Sequence, residues 1–419
     1  NLMDFFFLLI KQSNAKNNIN ITVINISFTF PFIMSEPNTK AKLEMSFLVD
    51  SILKLSQAPE GARSQHWDQF TKLFTVLGKL IELQAPSKKI SGEAGSKDFA
   101  PMLDWLQKSD VDHTKVKIKT FGEEGNGLEA TVDVKQGEEL LKIPLRCMMC
   151  VDALDDGNAV KNWIEGDKLL SAMQNVSLAV YVLITMNDTT SQYTHYLRTL
   201  PKSYTTPLFY TLAEIEALKG SHVQEQVMSL FRAVVRQYIY ILGQLKKDKR
   251  VQKVMGMTPE TFLFEDYRWA VATVMTRQNG IRIKTDESPN PKMAYALIPL
   301  WDMVNHDTGT ISSQHDAQLN RTEFYAMRDF TQNQQIYMYY GARANSELLY
   351  HSGFVFDNNT DDYMTIKLGV GSGDKLAPLK RKLLEALTIP SSGDFTILAG
   401  GELDPQLNAF IRINNMTEA

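Results

Sequence analysis

Strand-forming sequence in this chain falls into two blocks held apart by a long helical stretch, and that order limits what it can fold into. The first block covers residues 116–151. Short runs such as Val116-Lys117-Ile118, Ala130-Thr131-Val132 and Leu140-Leu141-Lys142-Ile143-Pro144 alternate with the turn signals Gly125-Asn126-Gly127 and Gln136-Gly137. The second block has candidate strands at 297–300, 321–326 and 335–340. Between them, at 158–276, apolar residues recur at three- and four-residue steps. The spacing predicts helices from about Asp167 to Met186, about Ser221 to Lys246 and about Glu265 to Thr276. In the second of these, Val223, Val227, Leu230, Phe231, Val234, Tyr238, Ile241 and Leu245 share one broad face, which core packing explains. The third delivers Arg277-Gln278-Asn279 at its C-terminal end, with Gly280 as the expected stop. The order is strands, helical insert, strands, helical tail, an α+β arrangement.

Before the first block, Ile52, Leu55, Phe70, Leu73, Leu77 and Leu80 mark helices within 43–83, and Met102, Leu103 and Leu106 mark a short one. The expected divisions are a helical region at 34–110, a main domain at 111–365 with its insert at about 158–280, and a C-terminal helical domain beginning at 366. Its helices are expected near Lys375 to Leu387 and Asp404 to Ile413. Residues 1–33, rich in Asn, Ile and Phe, read as a disordered leader or an artefact, because Met34-Ser35-Glu36-Pro37 looks like a natural start. The apolar run Phe5 to Ile10 is too short to span a bilayer.

Lys plus Arg total 44 against 48 Asp plus Glu, a net charge of -4, which argues against general nucleic-acid affinity. Lys115, Lys117 and Lys119 alternate on one strand face and read as a solvated edge. The cysteines, Cys147 and Cys150, form a C-x-x-C pair with no second pair to complete a zinc site. Their apolar setting suggests buried thiols, and two cysteines in a chain this long fit a reducing, intracellular compartment, expected to be the cytoplasm with the nucleus as a second location. No P-loop or G-x-G-x-x-G occurs.

The sharpest chemical signal is Trp301-Asp302-Met303-Val304-Asn305-His306, which succeeds an apolar run, together with Tyr339-Tyr340-Gly341 at the end of a strand. Polar groups where buried strands end cost free energy unless they are used. These segments, with Glu123-Glu124-Gly125-Asn126-Gly127-Leu128, Asn345 and Ser352-Gly353-Phe354, resemble the SET-domain methyltransferases. The helical insert is similar to that of the Rubisco large-subunit methyltransferase subgroup. Arg268-Trp269-Ala270-Val271, Met275-Thr276-Arg277-Gln278-Asn279 and His351-Ser352-Gly353-Phe354 resemble the actin-histidine N-methyltransferases in particular.

This resemblance implies a β-rich SET core, a helical insert, an all-α substrate-binding domain that the chain leaves incomplete, and S-adenosylmethionine as methyl donor. It implies a monomer with actin as its protein substrate, without zinc, nucleic acid or membrane. It assigns the cofactor to Glu124, Gly125, Asn126, Arg277, Asp302, Met303, Val304, Asn305, His306, Ser352 and Phe354, although Asn126 stands where relatives often carry an aromatic. Tyr340 would orient the transferring group, and Trp301, Arg343 and Asn279 would meet substrate. Asn279 bears on the acceptor. A lysine amine must lose a proton before attack, whereas an imidazole is largely neutral at pH 7 and needs only the right tautomer. An Asn carbonyl can accept one ring N–H and leave the other nitrogen free. The alternatives are a lysine methyltransferase, in which a bulky residue is expected at this position, and a non-catalytic scaffold.

Overall fold

The side chain of Gln84 joins segments of the chain that are remote in sequence. Its Nε2 donates to the Tyr238 hydroxyl at 2.8 Å, and its Oε1 accepts the backbone N–H of Phe264 at 3.0 Å. That second bond satisfies an orphan donor at the start of a helix. The computed structural model describes residues 37–58, 65–285, 288–401 and 403–417, so the expected leader at 1–33 lies outside the described residues. Residues 1–44 and 45–419 form separate units. In the first, the described residues begin helix α1 (Pro37–Gln57), and the second unit holds all the other elements.

Helices α2 (His66–Gln84) and α3 (Ala100–Lys108) bury the positions their periodicity marks: Phe70, Leu73, Leu77 and Leu80, then Met102 and Leu106. Strands β1 (Val116–Thr120), β2 (Asn126–Ala130) and β3 (Glu139–Pro144) come next. The insert contributes α4 (Ala159–Gly166), α5 (Lys168–Ala172), α6 (Gln174–Asn187), α7 (Thr194–Thr199), α8 (His222–Lys247) and α9 (Phe264–Arg277). The chain returns through β4 (Gln278–Thr285), β5 (Ser288–Leu297), β6 (Asn305–His306), β7 (Ser313–Asp316), β8 (Arg321–Tyr325) and β9 (Gln335–Met338). Both blocks share sheets. One has the order β1-β2-β9-β6, with β6 parallel to β9, and another the order β3-β8-β7. Met149 and Leu297 exchange both backbone bonds at 3.0 Å, so the strand ends on either side of the insert are fastened together.

Some expected boundaries move for identifiable reasons. The helix expected from Asp167 to Met186 breaks at Met173. Asp167 caps α5 by accepting from the backbone N–H groups of Leu169 and Leu170, and the Ser177 hydroxyl takes the carbonyl of Leu170 at 2.6 Å. Gly280 does not stop α9. Backbone pairing with β5 begins at Gln278, opposite Leu297, and Gly280 lies within β4 opposite Tyr295. The strand expected at 297–300 instead ends at Leu297. Leu300 takes φ 72°, and Trp301–Met303 form a 3-10 turn.

Near the C-terminus, α10 (Asn345–Ser352), α11 (Ala377–Ala386) and α12 (Pro405–Asn414) form. An antiparallel strand pair joins them that periodicity had not indicated, β10 (Tyr363–Gly369) with β11 (Ser392–Leu398), its strands flanking α11, so this region is not the all-α domain expected. Leu384, Phe395, Leu407 and Phe410 form a separate small core there. Lys117 and Lys119 both pair with the buried Glu129, and Lys115 pairs with Glu138, so the lysine-rich edge is partly neutralised internally.

Gly353 ends α10 at φ 82°, in the left-handed region. A Cβ there would lie 2.6 Å from Thr205 Oγ1 and 2.7 Å from the Thr206 nitrogen. The insert loop at 200–207, bounded by Pro201 and Pro207, is therefore seated on this glycine. Gly353→Ala is expected to destabilise the protein by at least about 2 kcal/mol, combining left-handed strain with a backbone clash. Urea unfolding of the variant against wild type measures this. Gly137→Ala, at φ 77° with open space around its Cβ, is the control for strain alone.

Candidate active site

Strand β6 is two residues long, and its parallel pairing sets Asn305 beside Tyr337 and His306 beside Met338. As β9 runs out, Tyr340 reaches back to the His306 ring. The Tyr340 backbone N–H donates to His306 Nδ1 at 3.2 Å, which assigns the ring proton of the neutral form to Nε2. Burial holds the His306 imidazole below the usual histidine range. Tyr339, Tyr340, Phe354 and Phe356 surround the ring with centroids 5.8, 5.0, 6.2 and 5.4 Å away. The Tyr340 hydroxyl donates to the Val304 carbonyl at 2.9 Å. Burial pushes this phenol up to about 12 despite nearby Arg277, so at neutral pH it is a hydrogen-bonding group and not a base.

Helix α9 ends by carrying Arg277 onto the Trp301–Met303 turn. Arg277 Nη1 donates to the Asp302 backbone carbonyl at 2.9 Å and lies 3.4 Å from Asp302 Oδ2. That same Oδ2 accepts the hydroxyl of Tyr196, a fully buried residue of α7, at 2.5 Å. Burial pushes the Asp302 carboxyl above the usual carboxylate range, with Arg277 and Tyr196 opposing it. Burial also works against the Arg277 charge, but Asp302, then Tyr204 and Tyr196, keep the guanidinium firmly protonated. Tyr204, in the insert loop, shares a 2.8 Å hydrogen bond with Thr273 on α9.

Around this pair, Arg277 Nε, Asp302 Oδ1, Asn305 Nδ2 and Gln278 Oε1 are buried and have no hydrogen-bond partner among the described residues. Native interiors rarely leave such atoms unpaired, so a cluster of donors and acceptors like this one is fitted for a polar ligand.

The glycine turn adjoins the same place. Gly125 has φ 74° and ψ -143°, a conformation open to glycine, and Gly127 has no room for a Cβ, which would lie 3.0 Å from Asn305 Nδ2. The Asn126 Oδ1 accepts from Thr120 across the hairpin at 2.9 Å, and the exposed Glu124 accepts from Gln335 Nε2 at 2.7 Å. The structure thus brings Gly125, Asn126, Arg277, Asp302, Asn305, His306, Tyr340 and Phe354 into one region. Met303 and Val304 are buried, and Val304 contributes through its carbonyl. Ser352 is the last residue of α10 and half-buried. Arg343 is half-buried and lies close enough to Tyr340, His306 and His351 for its charge to be felt at each.

Asn279 lies in β4 opposite Ala296 and is not a helix cap. Its Nδ2 donates to the Arg277 carbonyl at 3.1 Å, and its Oδ1 makes no hydrogen bond among the described residues. Trp301, expected to meet substrate, packs into the core. It is 2% exposed, and its ring stacks on Phe324 with centroids 4.0 Å apart. The turn forced by Leu300 drives the indole into the core behind the site. Tyr196 and Tyr204 were not anticipated. Tyr196 lies in Thr194-His195-Tyr196-Leu197-Arg198 and Tyr204 in Lys202-Ser203-Tyr204-Thr205-Thr206, mixed polar stretches with no pattern that marks either hydroxyl as a buried link.

Cys147 and Cys150 are buried, and burial pushes the Cys150 thiol up to about 12. Among the described residues no group of three or more His, Cys, Asp or Glu side chains could hold a metal ion. No described helix is long and apolar enough to cross a membrane.

No protein-family model matches the chain. Among individual proteins, the actin-histidine N-methyltransferase of Mus musculus is 33% identical over 387 residues, covering 91% of this chain and 63% of that protein. The Homo sapiens protein of that name gives the same figures, and that of Xenopus tropicalis is 32% identical over 376 residues, 90% of this chain and 63% of its own. The chain therefore spans about 63% of the length of the curated relatives it matches. Among solved structures, the SET domain of LSMT bound to lysine and AdoHcy superposes with a TM-score of 0.58 at 19% identity, covering 74% of this chain and 69% of that one. Rubisco LSMT bound to AdoMet gives 0.58 at 19% identity, over 77% and 72% of the two chains. The chain thus has a fold similar to the SET domain of LSMT and a sequence similar to the actin-histidine N-methyltransferases.

Proposed function

We propose that the chain is an S-adenosylmethionine-dependent protein-histidine N-methyltransferase that modifies the distal ring nitrogen of an actin histidine. The observation that carries this reading is the unsatisfied buried set at Arg277, Asp302 and Asn305. An amino-acid zwitterion complements it: a carboxylate suits Arg277 Nε and Asn305 Nδ2, and an ammonium suits Asp302 Oδ1. The methionine part of the cofactor is such a zwitterion. When bound, S-adenosylmethionine supplies an electrophilic methyl on a sulfonium. Gly125 lets backbone approach the cofactor closely, and Phe354 offers an apolar face for its adenine.

The chain's residues would do the rest by positioning. Tyr340, its hydroxyl held against the Val304 carbonyl, lines the transfer path with oxygens. Asn279 Oδ1 accepts the proximal N–H of the substrate imidazole, which leaves the distal lone pair to form the new N–C bond as the C–S bond breaks. The methylated ring then loses its proximal proton to solvent. No strong base is needed, in keeping with a Tyr340 phenol that stays protonated. Arg343, near the same path, is suited to acidic groups flanking the target. Actin as substrate also leads us to propose action in the cytoplasm, with the nucleus as a second site.

A lysine acceptor is the second reading, favoured by structural neighbours that include one bound to lysine. Asn279 argues against it, since an aliphatic amine gains nothing from that carbonyl. Incubation with labelled cofactor and actin, beside actin lacking the target histidine, distinguishes the two. Label on lysine, or none at all, sinks the histidine reading. Arg277→Ala is expected to weaken S-adenosylmethionine binding by about 100-fold, the effect of leaving Asp302 and the cofactor carboxylate without their cation. Isothermal titration checks this. Asn279→Phe is expected to cut histidine methylation by about 100-fold and raise the ratio of lysine to histidine product, read by mass spectrometry of peptide substrates. An unchanged ratio removes Asn279 from consideration as the residue that selects the acceptor.

A further inference from the structure

We propose that Tyr196 is a positioning residue for the cofactor: its hydroxyl, delivered by the helical insert, keeps Asp302 a carboxylate whose free oxygen receives the cofactor's ammonium. This rests on the reading that S-adenosylmethionine occupies the site. Tyr196 is 0% exposed and donates to Asp302 Oδ2 at 2.5 Å, leaving Oδ1 without a partner among the described residues. A phenol buried in the core usually takes a backbone carbonyl, as Tyr238 does with Phe262 at 3.0 Å. Tyr196 instead commits its proton to the buried carboxylate beside Arg277.

The groups that face Asp302 come from several elements. Arg277 lies at the end of α9, Tyr196 on α7, Tyr204 in the insert loop and Tyr340 beyond β9. Arg277 reaches Oδ2 at 3.4 Å, longer than a good hydrogen bond, so Tyr196 is the closest donor to the carboxylate. Burial drives Asp302 toward its protonated form, and the Tyr196 hydroxyl opposes this. Once protonated, Asp302 presents a neutral carboxyl that no longer attracts an ammonium. Affinity that depends on a carboxylate is present above its pKa and lost as pH falls through it, and removing a stabilising donor moves that loss to higher pH.

The test is titration of the whole chain with S-adenosylmethionine itself, by calorimetry, from about pH 5.5 to 8.5, with thermal midpoints recorded in parallel. Tyr196→Phe is expected to bind about tenfold more weakly at neutral pH and to lose further affinity as pH falls, with its acid limb above that of wild type. Asp302→Asn is expected to bind weakly with no acid limb. Tyr238→Phe, which removes a buried phenol that donates to the Phe262 carbonyl away from this pair, keeps the wild-type limb. A Tyr196→Phe curve parallel to wild type overturns the inference, because a purely structural loss lowers affinity equally at every pH. Should that variant not fold, the wild type decides: affinity flat around neutral pH, with Asp302→Asn weaker, supports the inference, and an acid limb already near neutral overturns it. Failure of wild type to bind at any pH overturns the cofactor reading as well, which separates the two failures.

Discussion

A cation and an anion buried together at the end of α9 set the terms for the rest of this fold. Asp302 is removed from water and Arg277 largely so, with 16% of its side chain exposed, and desolvating two charges costs several kcal/mol each unless their remaining valences are met. The protein meets them from three directions. The Trp301–Met303 turn presents the Asp302 carbonyl and carboxylate, α9 presents the guanidinium, and α7 presents the Tyr196 hydroxyl. The pair can exist only if the helical insert docks on the strands. Gln84 at the start of α9, the Met149–Leu297 bridge and Gly353 under the insert loop hold that docking in place.

The chemistry depends on what this arrangement leaves neutral and what it leaves unpaired. His306 is held neutral by burial and by accepting the Tyr340 N–H, and Tyr340 is held as a phenol. Neither is a base for an ammonium acceptor. An imidazole acceptor asks for a hydrogen-bond partner and a geometry, and Asn279 has a carbonyl free of other bonds among the described residues. Unpaired donors and acceptors are concentrated at Arg277, Asp302 and Asn305, and aromatic rings surround His306 beside them.

Much of the fold was legible because it is written in local periodicity. The faces of α2, α3 and α8 appear as three- and four-residue spacing, and the positions named from it in these helices are buried or half-buried, although α8 also buries Met228, Arg232, Val235, Gln237, Ile239 and Leu242. Boundaries were less legible where a distant partner decided them. Gly280 looks like a helix stop, but pairing with β5 makes it a strand residue. The apolar run before Trp301 looks like a strand, but Leu300 turns the chain. The β10–β11 pair has weak alternation, because only Phe395 of its fourteen residues is fully buried against α11 and α12.

The sequence by itself determined the residues that gather at the site. Asn305-His306 beside Tyr340, the glycine turn and Arg277-Gln278-Asn279 stand out because polar groups at the ends of apolar segments are costly without a use. Tertiary structure alone decided how they are supported. Tyr196 is 106 residues from Asp302, Thr205 is clamped by Gly353, and the Trp301 ring turns onto Phe324. None of these leaves a periodic or compositional mark, because a buried tyrosine that packs and one that also donates a hydrogen bond look alike in sequence. They are separated only by what the folded chain brings within about 3 Å of the hydroxyl.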